Sequence, residues 1–246
     1  MEMQQEKVIF NWSGGKDATM ALAAMLQDNS IKIEQLVTTI NGNLQRVTMH
    51  GVPVSLIRKQ AKSMRLPLHF LELPEDISMT RYSEITQTAA KVHKEDGITK
   101  YVYGDIFLED LKSFRDKELA INGIEGIYPL WKKDTKELAN TFINDGYKAI
   151  VVATNSKLLN KNFVGKEFDN DFLNNLPEGV DPCGENGEFH TFVYDGPIFK
   201  EPISFTKGEP TYKTYSPKQE GDDCFCCDPE EDKSWDKGFW FCELLD

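Results

Sequence analysis

Apolar residues recur along the chain in short runs that alternate with stripes of helical period. Val8-Ile9-Phe10-Asn11-Trp12 is an apolar, β-prone run that predicts a buried strand and breaks at Ser13-Gly14-Gly15. Asp17 to Leu26 then predicts a helix, with Ala18, Ala21, Leu22, Met25 and Leu26 on one stripe. Leu36 to Ile40 is a second strand, stopped by Asn41-Gly42-Asn43. Pro53 suits the first turn of a helix whose apolar positions are Val54, Ile57, Ala61 and Met64. Leu68 to Leu71 is a third strand. Tyr82, Ile85, Ala89 and Val92 line another helix, ended by Gly97. Tyr101 to Tyr103 is a fourth strand, closed by Gly104-Asp105, and Phe107, Leu111 and Phe114 continue as helix. Lys148 to Ala153 is a fifth.

Strands alternating with helices predict βαβ units, hence an α/β fold with a doubly wound, mainly parallel, five-stranded sheet. In such sheets ligands lie beyond the carboxyl ends of the strands, where the strand order reverses. Ser13-Gly14-Gly15, Asn41-Gly42 and Gly104-Asp105 all fall on that edge. The pattern changes after about residue 155. Asp169 to Leu176 reads as a short helix, Phe189 to Tyr194 as a strand, and Ile203 to Tyr215 as antiparallel β with turns at Gly208 and Pro210. The expected organisation is an α/β domain over 1–155, a smaller α+β region over 156–216, and an acidic tail rich in cysteine and aromatic residues over 217–246.

The loop Ser13-Gly14-Gly15-Lys16-Asp17 has a direct physical reading. Paired glycines let the backbone turn its N–H groups onto an anion, and the helix N-terminus adds unpaired donors and partial positive charge. Lys16 adds a cation, Ser13 a hydroxyl donor, and Asp17 a carboxylate for magnesium on a polyphosphate. The same residues also read as a plain helix cap. Neither the Walker pattern nor the dinucleotide G-x-G-x-x-G is present. A second constellation, Gly184-Glu185-Asn186-Gly187-Glu188-Phe189-His190-Thr191, brings two carboxylates and an imidazole into a loop that leads into a strand. Period two would place Glu188 and His190 on one face. Such groups suit metal binding, an amine substrate or general base work, and equally an acidic surface turn.

In this order the motifs resemble a known family. The strand, the loop 13–17 and the helix after it are similar to the N-type ATP pyrophosphatases of the PP-loop superfamily, which have a HUP-like fold. Tyr103-Gly104-Asp105-Ile106, Arg115, Tyr128-Pro129-Leu130-Trp131, Gly184 to Thr191 and Tyr194-Asp195-Gly196-Pro197 together resemble the diphthine–ammonia ligase family over roughly residues 7 to 200. The resemblance implies an ATP-dependent carboxylate–ammonia ligase that forms an acyl-adenylate, releases pyrophosphate, and lets ammonia displace AMP. It implies catalytic roles for Lys16, Glu185, Glu188 and His190. ATP would lie on Trp12, Ser13, Gly14, Gly15, Lys16, Asp17, Thr39, Gly104 and Asp105, with magnesium on Asp17 or Asp105. Archaeal and eukaryotic members typically carry Glu-Thr where this chain has His190-Thr191. The His-Thr form looks more like a bacterial branch that has been linked to cobalamin salvage. The implied acceptor is therefore a carboxylate on protein-borne diphthine or on a corrinoid-type small molecule.

Charge and cysteine content refine these expectations. The formal net charge is −12, and three basic against ten acidic residues between Lys218 and Asp246 hold over half of it. That balance argues against nucleic acid as a partner, including the RNA modification that related loops perform. No apolar stretch suits a membrane span, and Met1 to Lys7 lacks the signature of a signal region, so the expected compartment is the cytoplasm. ATP, ammonia and the carboxylate acceptor are the expected partners, with a homodimer as the assembly considered. Cys224, Cys226, Cys227 and Cys242 offer four thiols in a spacing unlike standard zinc frameworks; zinc and free thiols both stay open. Trp235, Phe239, Trp240 and Phe241 suggest that this tail packs on the body. An ATP-binding sensor without chemistry is the reading from another class, and the Glu185, Glu188 and His190 cluster weighs against it.

Overall fold

The computed structural model describes residues 5–74, 77–215 and 237–246. Its first sheet starts with β1 (Glu6–Asn11), which pairs in parallel with β2 (Ile31–Asn41) on one side and β5 (Lys100–Val102) on the other. β4 (Leu68–Leu73) extends the sheet beyond β2 and β6 (Glu125–Ile127) beyond β5, both in parallel. β3 (Arg46–Val47) runs antiparallel along the last residues of β2. Five strands are thus parallel, as expected for a doubly wound fold. The chain winds outward from β1 through β2 to β4, then returns to its other side through β5 and β6. The strand order reverses at β1, between β2 and β5.

The fifth parallel strand differs from the expected one. It is β6, three residues long with a central glycine, too short to leave a periodic signature. Lys148 to Ala153 instead belongs to β7 (Lys148–Asn155), a member of a second, antiparallel sheet ordered β8-β7-β10-β9. β8 is Phe189–Asp195, β9 Thr206–Tyr215 and β10 Lys237–Leu245. Gly208 and Pro210 are not turns but lie inside β9, where Pro210 pairs with Cys242. Proline is tolerated there because β9 is an edge strand, with one side of its backbone free of ladder duties.

Helices cover both faces of the parallel sheet: α1 (Lys16–Leu26), α2 (Val54–Met64), α3 (Met79–Glu95) and α4 (Glu109–Ala120). β1 shows how. Val8, Phe10 and Trp12 share a core with Ala18, Leu22 and Ile57 of α1 and α2, whereas Ile9 faces Ala90 and Leu119 of α3 and α4. Burial on both faces explains why the strand reads as a continuous apolar run. α5 (Thr135–Asn144), capped by Asp134 accepting from Glu137 N–H at 2.8 Å, leads into β7. The short α6 (Asn170–Asn174) carries Phe172 into an aromatic nest with Phe163, Phe168 and Phe189 at ring distances of 5.9, 5.7 and 5.1 Å.

The aromatic residues of the tail pack on the body where they are described. Phe241 is buried and Trp240 is partly buried against the main core; Trp235 lies outside the described residues. Cys242 is buried in β10 with its thiol 3.8 Å from the Gly208 carbonyl, so it serves as a small core residue. Cys224, Cys226 and Cys227 lie outside the described residues.

Phe172 is 1 % exposed and anchors the nest beneath β8. Phe172→Ala should cost about 3–5 kcal/mol of unfolding free energy, the usual penalty for emptying a large aromatic site. Urea denaturation measures it, and a loss under about 1 kcal/mol would mean the nest refills itself.

Candidate active site

The site forms where β1, β5 and β8 converge. Gly14 adopts φ 81°, in the left-handed region that favours glycine, and a Cβ there would meet Ile57 Cδ1 at 2.7 Å and Gln60 Oε1 at 2.8 Å. Gly15 precedes α1 in extended conformation and, being glycine, brings no capping side chain of its own. The loop is fastened from two sides. Gln60 of α2 accepts from the Trp12 indole N–H at 2.9 Å and donates to the carbonyls of Gly14 at 3.1 Å and Val193 at 2.6 Å. On β8, Thr191 Oγ1 accepts from Lys16 N–H at 3.1 Å, and Val193 N–H donates to the Gly14 carbonyl at 2.9 Å. The second sheet therefore completes the loop of the first.

Lys16 is turned inward. Its ammonium bonds Asp17 Oδ2 at 2.9 Å and the Cys183 carbonyl, and lies 5.3 Å from the Phe189 ring centroid and 5.7 Å from that of Phe168. Burial by itself would lower its pKa, but the charge and hydrogen bond of Asp17 outweigh that, so the lysine stays a cation. Asp17 Oδ1 is buried without a hydrogen-bond partner, which leaves one carboxylate oxygen open to a cation.

At the end of β5, Gly104 packs on the start of α1 so closely that a Cβ would be 2.9 Å from Ala18 N and 3.0 Å from Asp17 C. Only a glycine lets the strand end and the helix start meet this way. Asp105 pairs with Arg115 Nε at 2.9 Å, and Arg115 in turn lies 4.3 Å over the Tyr103 ring. The segment 181–191 closes the remaining side. Asp181 Oδ2 accepts from the Cys183 and Glu185 N–H groups, each at 3.0 Å. Glu185 Oε1 accepts from Ile106 N–H at 2.7 Å and Phe107 N–H at 3.3 Å, tying this segment to β5. Burial raises the Glu185 pKa to about 7 against those two donors, with Asp17 and Asp105 adding repulsion. Glu188 is 2 % exposed; its Oε1 accepts from Asp181 N–H at 3.1 Å and the Asn186 amide at 3.0 Å, and its Oε2 is buried without a partner. His190 stacks on His50, with ring centroids 4.5 Å apart.

Gly14, Gly15, Lys16 and Asp17 are thus brought together with Gly104, Asp105, Glu185 and His190. Ser13 accepts from Gly15 N–H at 3.2 Å and belongs to the same loop. Glu188 lies one residue before β8, and its Oε1 bonds within its own loop. Trp12 is a core residue, and Thr39 meets the β3 turn, its carbonyl accepting from Thr48 N–H at 3.3 Å. Among the described residues, no group of three His, Cys, Asp or Glu side chains forms a ready-made metal cage. His50, Gln60 and Asp181 escape a motif search. Gln60 alone leaves a signal, a polar residue beside the apolar stripe of α2 with no exposed face to explain it.

A doubly wound parallel sheet with a Ser-Gly-Gly-Lys-Asp loop at its switch point defines a PP-loop type of α/β protein. Comparison with known proteins narrows the class. Residues 6–124 match the diphthamide synthase N-terminal domain and residues 134–218 the diphthamide synthase C-terminal domain. The chain belongs to the diphthamide synthase family. It is similar to the diphthine–ammonia ligase of Schizosaccharomyces pombe, 34% identical over 91 residues, covering 35% of this chain and 15% of that protein. The diphthine–ammonia ligases of Danio rerio and Bos taurus are 35% identical over 82 residues and 32% identical over 85. Those matches cover 30% and 32% of this chain and 31% and 32% of the relatives. The matched stretch spans less than a third of each relative's length. No helix among the described residues is long and apolar enough to cross a membrane.

Glu185 sets a pH signature. A carboxyl with its folded pKa near 7 keeps its proton between about pH 4.3 and 7 in the folded chain but not in the unfolded one. Folding then binds protons, and this contribution to stability fades as pH rises through that window. Glu185→Gln avoids the loss, so its stability relative to the parent should grow from about pH 5 to about pH 8. Paired urea titrations would measure this; a difference that stays constant with pH would mean Glu185 titrates like a free carboxyl.

Proposed function

We propose that this chain is an ATP-dependent ligase that converts a carboxylate into an amide with ammonia, as the names of its diphthine–ammonia ligase relatives suggest. The observation that carries this reading is the joining of the loop 13–17 to the segment 181–191 through Lys16, whose backbone N–H bonds Thr191 and whose ammonium bonds the Cys183 carbonyl. A nucleotide group and an acceptor group would then meet in one place. The polyphosphate would lie on the N–H groups of the loop and the start of α1. Lys16 would exchange the Cys183 carbonyl for a phosphate oxygen and stabilise charge on the departing pyrophosphate.

Attack of the acceptor carboxylate on the α-phosphorus forms the acyl-adenylate and breaks the bond to pyrophosphate. Ammonia then adds to the activated carbonyl and AMP departs. Glu188 Oε2, buried and unpartnered, suits an N–H of the incoming nitrogen, and Glu185 is near enough to neutrality in pKa to accept the proton that ammonia must lose. The open Asp17 Oδ1 fits magnesium, which characteristically binds one or two carboxylates together with phosphate oxygens. It would supply charge neutralisation on the polyphosphate. Asp105, already paired with Arg115, would be a shared or second-choice ligand. The acceptor is protein-borne diphthine or, in the branch that His190-Thr191 resembles, a corrinoid-type acid.

The test is magnesium-dependent ATP turnover with ammonium, separating AMP from ADP, against diphthine-bearing elongation factor and a set of corrinoid acids. AMP, pyrophosphate and an amide with one acceptor are expected. Lys16→Ala should lower turnover by roughly 100-fold or more, and Glu188→Gln should spare ATP binding while reducing turnover. ADP and phosphate as products would overturn the reading, and so would tight ATP binding with no turnover against every acceptor.

A further inference from the structure

His50 belongs to no motif, yet it stands against the phosphate loop. It lies in the turn between β3 and α2, which is pinned from β10: Gly51 packs on Phe241, and Arg46 donates to the Gly51 carbonyl at 2.7 Å while pairing with Glu243. The ring has a polar partner at one nitrogen and stands against Gly15 with the other. Nδ1 faces the Thr48 carbonyl at 3.4 Å, and Nε2 is so near Gly15 that a Cβ there would meet it at 3.1 Å. The His190 ring stacks on it with planes inclined by 35°, and His190 Nε2 is buried without a hydrogen-bond partner.

The charge of Lys16 acts on both rings, that lysine is itself paired with Asp17 at 2.9 Å, and Arg46 is paired with Glu243. Burial, with Lys16 assisting, holds His50 down to about 4 against the Thr48 carbonyl. Burial, His50 and Lys16 likewise hold His190 well below its ordinary range. Two imidazoles and the start of α1 thus lie about Gly15, with the Lys16 N–H held by Thr191 and the Lys16 ammonium by Asp17. Both rings are half-buried, and His190 Nε2, buried and unpartnered, still needs a hydrogen-bond partner.

We propose that His50 and His190 form an imidazole clamp that takes an oxygen of the polyphosphate carried on loop 13–17, with His50 as a binding residue for that group. The inference rests on the ATP reading above and deepens it. The Thr48 carbonyl favours a proton on Nδ1, so neutral His50 presents a lone pair at Nε2 and repels a phosphate oxygen. Only the doubly protonated ring can donate from both nitrogens at once. An arriving polyanion supplies negative charge, and binding draws a proton onto the ring.

Magnesium-free pyrophosphate titrated calorimetrically into the full chain, near neutral pH and in two buffers of different ionisation enthalpy, reads affinity and proton uptake together. His50→Ala should weaken pyrophosphate roughly 10-fold or more, the usual scale for losing a charge-assisted hydrogen bond. His50→Gln offers a neutral donor of similar reach, so it should regain part of that affinity while taking up fewer protons than the parent chain. Thermal melting checks that both variants fold, and His50→Gln carries the test if His50→Ala does not. Unchanged affinity and unchanged proton uptake in the variants overturn the clamp and leave the ATP reading standing. Weaker binding with unchanged proton uptake marks His50 as structural and also overturns it. A parent chain that binds neither pyrophosphate nor ATP overturns both.

Discussion

The side-chain amide of Gln60 holds the two halves of this protein to the phosphate loop. It is fully buried, and its one acceptor and two donor positions are all used, on Trp12, Gly14 and Val193. These partners come from the first strand, the loop and the second sheet. In a site without water, each of these groups needs a partner, and losing one leaves a desolvated orphan costing on the order of 1–3 kcal/mol. The arrangement is rigid because every alternative leaves something unpaired. Gly14 belongs to the same constraint: its left-handed backbone turns the carbonyl toward Gln60 and Val193, and a side chain there would strike the Gln60 amide.

This constraint explains why the loop is not a self-contained motif. In a free strand-loop-helix unit, glycines and a helix start would suffice to hold an anion. Here the shape of the loop is specified by β8, nearly 180 residues further along the chain. The antiparallel sheet β8-β7-β10-β9 is thus part of the site's framework, and the segment 181–191 that precedes β8 lies against Lys16 and β5 because β8 is fixed.

Local patterning carried the parallel sheet and its four crossover helices well, because β1, β2 and the helices α1 to α3 are long and periodic. It failed where the element was short or the pairing distant. β6 has three residues and a glycine, and β3 only two, so neither has a period to detect. β7 reads as a buried strand but nothing within it says which sheet it joins; that depends on β8 and β10. Pro210 reads as a turn because its place on an edge strand is a tertiary fact. The glycine-bearing strand ends were legible as a site because the topology rule needs only their order. The side chains that shape that site, Gln60 and His50, come from a helix face and a turn with no chemistry of their own in sequence.

The charge balance around Lys16 follows from the same geometry. Lys16 is held in a buried position by one carboxylate, one carbonyl and two aromatic faces, an arrangement that satisfies the ammonium without fully neutralising the surroundings. A buried cation is stable only while such partners remain, and removing any of them without replacement is costly. An anion on the loop is a replacement partner, stronger than the Cys183 carbonyl because it carries full charge. Moving Lys16 toward it would release that carbonyl and with it the segment bearing Glu185 and Glu188. On the proposed reading, the loop and the acidic segment would compete for one ammonium, and occupation of the first would be felt by the second.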